Sequence, residues 1–130
     1  PAKTRQLLDR LVDETRHHDA LTLVLALSYG AREEIVAAAR SLAEDAAAGK
    51  LNPAEIDCEQ FASRLQTSGI PDPDLLIRTS GEMRLSNFLL WQISYAELVI
   101  LKKYWPDFRW QDLLDAVEEY QKRHRRFGAV

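Results

Sequence analysis

Two arginines, a serine and a glutamate fall close together in the run PDPDLLIRTSGEMRLSNFLLWQISYAE, Pro71 to Glu97: they are Arg78, Arg84, Ser86 and Glu97. A guanidinium presents paired N–H donors that match phosphate oxygens. A hydroxyl beside the start of a helix, where backbone amides are unpaired and the dipole is positive, faces an anion favourably. Glu97 adds a carboxylate suited to magnesium, a metal that takes a few carboxylates together with substrate phosphate oxygens. The chemistry indicated is the binding of a phosphate or diphosphate. One arginine at about 4 Å from a phosphate charge contributes roughly 4 kcal/mol at an effective dielectric near 20, before desolvation. A second reading stands beside this one: Arg78 pairs internally with Asp72, Asp74 or Glu82, and Ser86 only caps a helix.

The elements that must position these groups can be read around them. Asp74 to Thr79, DLLIRT, is a short apolar run suited to a strand of a parallel sheet buried on both faces, so Arg78 stands at its carboxyl end. Open α/β sheets place ligands in the crevice outside such strand tips. The loop from Ser80 to Leu85 leads to Ser86, read as the N-cap of a buried helix from Asn87 that carries Phe88, Leu89, Leu90, Trp91, Ile93 and Tyr95. Ile70-Pro71-Asp72-Pro73 is a stiff extended lead into the strand, because each proline disfavours helix at the residue before it.

The rest of the chain alternates in the same way. Leu7, Leu8, Leu11 and Val12 predict a surface helix over Lys3 to about Arg16 with one buried stripe. His17 and His18 then sit near its C-terminus, where a cation is favourable. Leu21 to Leu27, LTLVLAL, predicts an interior strand. An alanine-rich helix follows from Arg32 to about Ala48 and stops at Gly49. Asn52-Pro53 is a tight turn, and Asp57 with Gln60 forms a capping box for a helix with Phe61 and Leu65. Leu98 to Leu101 predicts a further strand, Trp105 to Phe108 a bend, and Trp110 to Arg125 a last helix with Leu113, Leu114, Val117 and Tyr120 on one face.

Composition narrows the class. The 130 residues are 46% hydrophobic and 28% charged, as in a single soluble domain. A net charge of −3 runs against a nucleic-acid binder. The lone cysteine, Cys58, excludes an internal disulfide and a multi-cysteine metal site. No run approaches the roughly 18 apolar residues of a membrane span, and PAKTRQLL lacks a secretory core, so a cytoplasmic setting is expected.

The central block resembles the most distinctive stretch of the cis-prenyltransferases, the undecaprenyl diphosphate synthase family. The matching residues are Ile77-Arg78-Thr79, Gly81-Glu82, Arg84-Leu85-Ser86, Asn87 to Gln92 and Tyr95-Ala96-Glu97. Seventeen matching positions between Ile77 and Glu97 make this far more specific than a short spacing motif. The strand and turn ending Ser28-Tyr29-Gly30-Ala31-Arg32 resemble a second family block, with Ser28 where asparagine is common and Ala31 where glycine is common. Arg126-Phe127-Gly128 resembles the family's Arg-x-Gly element near the C-terminus.

The resemblance implies an α/β fold, a parallel-sheet Rossmann-like sandwich of the cis-prenyltransferase type. Residues 1–130 would form the C-terminal portion of one catalytic domain, with about three strands and four to five helices. It implies that Arg78, Arg84 and Ser86 bind the diphosphate of isopentenyl diphosphate, that Glu97 takes part in binding Mg2+, and that Arg126 reaches the partner subunit's diphosphate in a homodimer. The implied reaction condenses isopentenyl diphosphate with an allylic diphosphate primer to give a long-chain polyprenyl diphosphate, with peripheral membrane contact through the lipid product. The family's catalytic aspartate belongs to an Asp-Gly-Asn-Gly-Arg-like block that does not occur in these residues, so this chain is expected to be part of a larger protein and inactive alone. Two other readings remain: a noncatalytic scaffold subunit of such a complex, and an α/β module that binds a phosphometabolite. The absence of Gly-x-Gly-x-x-Gly counts against a dinucleotide.

Overall fold

The computed structural model describes residues 2–123. The helices are α1 (Ala2–Thr15), α2 (Ala31–Ala47), α3 (Cys58–Ala62) and α4 (Trp110–Gln121), and the strands are β1 (Leu75–Arg78) and β2 (Glu97–Ile100). Single 3-10 turns at Pro53–Glu55 and Trp105–Asp107 complete the order. The fold is mixed α/β with a parallel sheet, as expected. Arg126 lies outside the described residues.

β1 and β2 pair in parallel, with Leu75 opposite Glu97, Leu76 opposite Leu98, Ile77 opposite Val99 and Arg78 opposite Ile100. Successive side chains alternate faces. Leu76, Arg78, Leu98 and Ile100 therefore share one face, and Leu75, Ile77, Glu97 and Val99 the other. α4 packs against β2, and Val99 is completely enclosed while its neighbour Leu98 is 39% exposed. The helix is held at its start by Asp112, whose carboxylate accepts from Lys103 Nζ at 2.6 Å and from the Arg109 amide at 2.8 Å. The ammonium of Lys103 and then the Arg109 amide hold the Asp112 carboxyl below its usual range.

α2 buries Ala31, Glu34, Ala38 and Leu42, spaced so that they share one helical face. Gly49, at φ +70°, ends this segment where the sequence expects it. The cap of α3 is also as expected, with the Gln60 amide donating to Asp57 Oδ1 at 2.8 Å. Phe61 of α3 packs on Trp91 with ring centroids 4.5 Å apart, and Leu65 is buried.

Two expectations fail at the N-terminal side. Leu21 to Leu27 forms no strand, and the sheet among the described residues has two strands where three were expected. Leu21 is 82% and Leu27 63% exposed. A strand exists only through a neighbouring backbone, and no described segment pairs with this one. The apolar stripe of α1 is likewise uncovered, with no residue of the helix buried. Leu8, Leu11 and Val12 instead face the same open cleft as Leu21, Leu23, Leu25 and Leu27.

Candidate functional site

A cavity of about 230 Å3 lies over Leu76, Leu98 and Ile100, and both Arg78 and Arg84 line it together with Met83, Leu85 and Phe88. The two arginines that the sequence proposes as partners thus meet in one volume, one from the strand tip and one from the loop above it.

Their states differ. Arg78 is largely covered, and its Nε is buried without any hydrogen-bond partner. The internal pairing of Arg78 with Glu82 is not formed, since Glu82 forms an ion pair with Arg84 instead. A buried guanidinium N–H left unpaired costs about 1–3 kcal/mol, so a retained one calls for a partner from elsewhere. Arg84 is 70% exposed and its pair with Glu82 is a surface pair. Such a pair contributes about 0–1 kcal/mol, which an incoming anion readily displaces.

Left-handed backbone flanks Arg84 on both sides, at Ser80 and Gly81 before it and at Ser86, Asn87 and Leu89 after it. Ser80 (φ +69°), Gly81 (φ +66°), Ser86 (φ +51°), Asn87 (φ +63°) and Leu89 (φ +45°) all have positive φ. Few non-glycine residues adopt that region, and clusters of them occur where a structure needs a particular loop shape. The amides of Ser80 and Gly81 donate to the carbonyls of Lys103 (2.7 Å) and Leu101 (2.8 Å), which ties the first turn to the chain leaving β2.

The expected helix from Asn87 is not formed. Residues 86–95 run as successive turns, with the Phe88 amide on Leu85 O at 3.2 Å and the Ile93 amide on Leu89 O at 3.0 Å. Left-handed residues at 86, 87 and 89 interrupt the regular ladder that an α-helix requires. Ser86 is therefore not an N-cap, a position that needs extended backbone. Its side chain is exposed and does not line the cavity.

Glu97 stands apart from the arginines. The strand register places it three residues back from Arg78's level, about 10 Å along the strand, and on the opposite face of the sheet. Its carboxylate accepts from Arg123 Nη1 at 2.8 Å, and Arg123 also pairs with Glu119. These two carboxylates raise the Arg123 pKa further. Among the described residues no group of three or more His, Cys, Asp or Glu could hold a metal ion. Glu97 and Arg78 lie on opposite faces of the sheet.

Two features escaped the sequence reading. One is Asn87, whose backbone and side chain both bond the first turn of α2. The other is a buried polar knot around Glu34. Its carboxylate accepts from Tyr29 OH at 2.5 Å, from Gln92 Nε2 at 3.1 Å and from the Gln66 amide at 2.8 Å. Burial, with the adjacent Glu34 carboxylate, pushes the Tyr29 phenol up to about 12. Glu34 was legible only as one more charge on a surface helix. Its position on the Ala31, Ala38, Leu42 face was the available signal.

Residues 1–128 match the family model described as putative undecaprenyl diphosphate synthase. The chain belongs to the undecaprenyl diphosphate synthase family. It is 55% identical to an isoprenyl transferase of Brucella abortus over 129 residues, covering 99% of this chain and 51% of that protein. It is 46% identical to an isoprenyl transferase of Bacillus cereus, covering 100% of this chain and 50% of that protein. Among solved structures, a lavandulyl diphosphate synthase from Lavandula x intermedia in complex with dimethylallyl diphosphate superimposes with a TM-score of 0.92 at 40% identity, covering 98% of this chain and 55% of that one. A probable undecaprenyl diphosphate synthase from Campylobacter jejuni gives 0.79 at 37% identity, covering 98% and 57%. The chain spans about half the length of the family members it matches.

Proposed function

We propose that this chain forms the isopentenyl diphosphate side of a cis-prenyltransferase, in which Arg78 and Arg84 grip the diphosphate over the exposed sheet face. The observation that carries the reading is the buried, unpartnered Nε of Arg78 on the wall of a cavity shared with a second arginine. The apolar lining, Leu76, Leu98, Ile100 and Phe88, suits the five-carbon isopentenyl group next to its charged end. Ser86 adds a hydroxyl contact if its exposed side chain turns toward the phosphates. The chain's own residues then bind and orient one substrate, holding its double bond toward the primer, which is a positioning contribution.

The parent reaction is elongation of an allylic diphosphate primer by isopentenyl units to a long-chain polyprenyl diphosphate. Negative charge gathers on the leaving diphosphate, and positioned donors stabilise it. The catalytic aspartate of the family belongs to a segment outside these residues, so residues 1–130 alone bind substrate without turnover. The uncovered apolar row of Leu21 to Leu27 is the natural place for further sheet to add. The magnesium role of Glu97 requires its carboxylate to leave Arg123. Arg126 as a contact across a homodimer, a cytoplasmic setting and peripheral membrane contact complete the proposal; they rest on the family resemblance. No described helix is long and apolar enough to cross a membrane.

Calorimetric titration with isopentenyl diphosphate tests the reading: Arg84→Ala weakens binding by about 1.5–3 kcal/mol if the side chain meets a charged phosphate. Equal affinity in wild type and Arg84→Ala contradicts it and favours a scaffold subunit.

A further inference from the structure

We infer that Asn87 is a positioning residue, a clamp that fastens the arginine loop to the first turn of α2 and so fixes where Arg84 stands. Three hydrogen bonds from this residue cross more than fifty positions of sequence. The Ala31 amide donates to Asn87 O at 2.9 Å, the Arg32 amide donates to Asn87 Oδ1 at 2.8 Å, and Asn87 Nδ2 donates to Glu33 Oε2 at 2.9 Å.

The first amides of a helix have no partner within the helix. Gly30, at the cap position of α2, has no side chain to offer them. Asn87 does this from a distance with its carbonyl and its side-chain oxygen together. Reaching that position costs the loop its regular backbone, because Ser86 and Asn87 are both left-handed. Asparagine tolerates that conformation better than most residues. The joint is also tight: a Cβ at Gly30 would collide with Glu33 Oε2 and stand 2.9 Å from Asn87 Nδ2. A side chain at position 30 would therefore displace the Glu33 and Asn87 groups that form the clamp. The hydrogen bond from Asn87 holds the Glu33 carboxyl below its usual range.

The consequence falls on Arg84. Its loop is fixed at one end by the amides of Ser80 and Gly81 on the chain leaving β2, and at the other by Asn87 on α2. Between these two anchors the described contact of Arg84 is its exposed pair with Glu82. The clamp therefore sets the distance between Arg84 and Arg78, and with it the fit to a diphosphate. This inference rests on the diphosphate reading above for its functional part, and on the loop's geometry alone for its structural part.

The direction of the hydrogen bonds supplies the test. In Asn87→Asp the bond from Arg32 survives, while two carboxylates face each other where Asn87 Nδ2 had donated. Adding Glu33→Gln restores a donor in reverse, from residue 33 to residue 87. In the intact polypeptide, pyrophosphate affinity and amide hydrogen exchange over residues 82–86 are measured for Asn87→Ala, Asn87→Asp, Glu33→Gln and the double variant. Asn87→Ala and Asn87→Asp are expected to bind pyrophosphate about five- to tenfold more weakly, the size of a lost capping contact, and to exchange faster over the loop. Glu33→Gln alone stays near wild type, and the double variant recovers most of the affinity lost in Asn87→Asp. Faster loop exchange with rescue in the double variant supports the clamp even if wild type binds no pyrophosphate, an outcome that removes the diphosphate reading instead. Unchanged exchange in Asn87→Ala, or a double variant no better than Asn87→Asp, overturns the clamp.

Discussion

Replacing Arg78 by methionine should move binding and stability in opposite directions. The guanidinium Nε is buried with no partner, and a donor in that state costs about 1–3 kcal/mol of folding free energy. Methionine fills similar space with no polar group to satisfy. Arg78→Met should therefore leave the free protein as stable as wild type or more stable, by about 1 kcal/mol, read as a rise of about 3–5 °C in thermal midpoint. The same change removes a charged contact to phosphate, worth about 1.5–3 kcal/mol, so affinity for isopentenyl diphosphate should fall about 10- to 150-fold. The assays are scanning calorimetry of the free protein and titration with the diphosphate. An arginine kept for packing alone would give the reverse pair, lower stability and unaltered binding, and that result refutes the reasoning.

Glu82→Gln releases Arg84 from its surface partner; pyrophosphate binding should tighten by less than about fivefold, with a weaker gain at high salt. Glu34→Ala leaves the Tyr29 hydroxyl, the Gln92 amide and the Gln66 amide without their acceptor, and should lower unfolding free energy by about 2–4 kcal/mol in a urea titration. Because the folded pKa of Tyr29 is raised to about 12 from 10.0, the phenol stabilises the fold fully below pH 10 and loses that contribution as pH rises toward 12; the alkaline unfolding midpoint of Tyr29→Phe should depend less on pH in that window. Asp112 has the opposite sign: its pKa is lowered by Lys103 from 3.8, so its contribution is present above that value and disappears as pH falls further. Asp112→Asn should flatten the acid limb of stability against pH.

How much of this was visible in the sequence depends on whether the cause was local. DLLIRT and the apolar run after Glu97 both became strands, because three consecutive branched or long apolar residues between turns have few other uses. Gly49 and the Asp57 cap fell where expected because each acts within four residues. LTLVLAL is as apolar a run as a strand needs yet forms none, since pairing depends on a neighbour and not on the run itself. The helix expected from Asn87 failed for a related reason. Its apolar spacing is helical, but Asn87 is drawn to α2, more than fifty positions away, and the left-handed residues that achieve this prevent a regular ladder. The arginine pair was legible because its spacing follows one strand and one loop. That Glu97 faces away from it follows from the register of β2 against β1, a pairing no single-sequence pattern prints.

The most direct test of the account is to watch the Arg78 side chain itself during titration with isopentenyl diphosphate, by following arginine Nε–H resonances with nitrogen-15 NMR. The account predicts that the Arg78 Nε–H signal shifts strongly and becomes protected from exchange, saturating together with Arg84, as phosphate oxygens supply the missing acceptor. A ligand that binds while the Arg78 signal stays unmoved would contradict the account, because the diphosphate would then be held somewhere other than the cavity at the tip of β1.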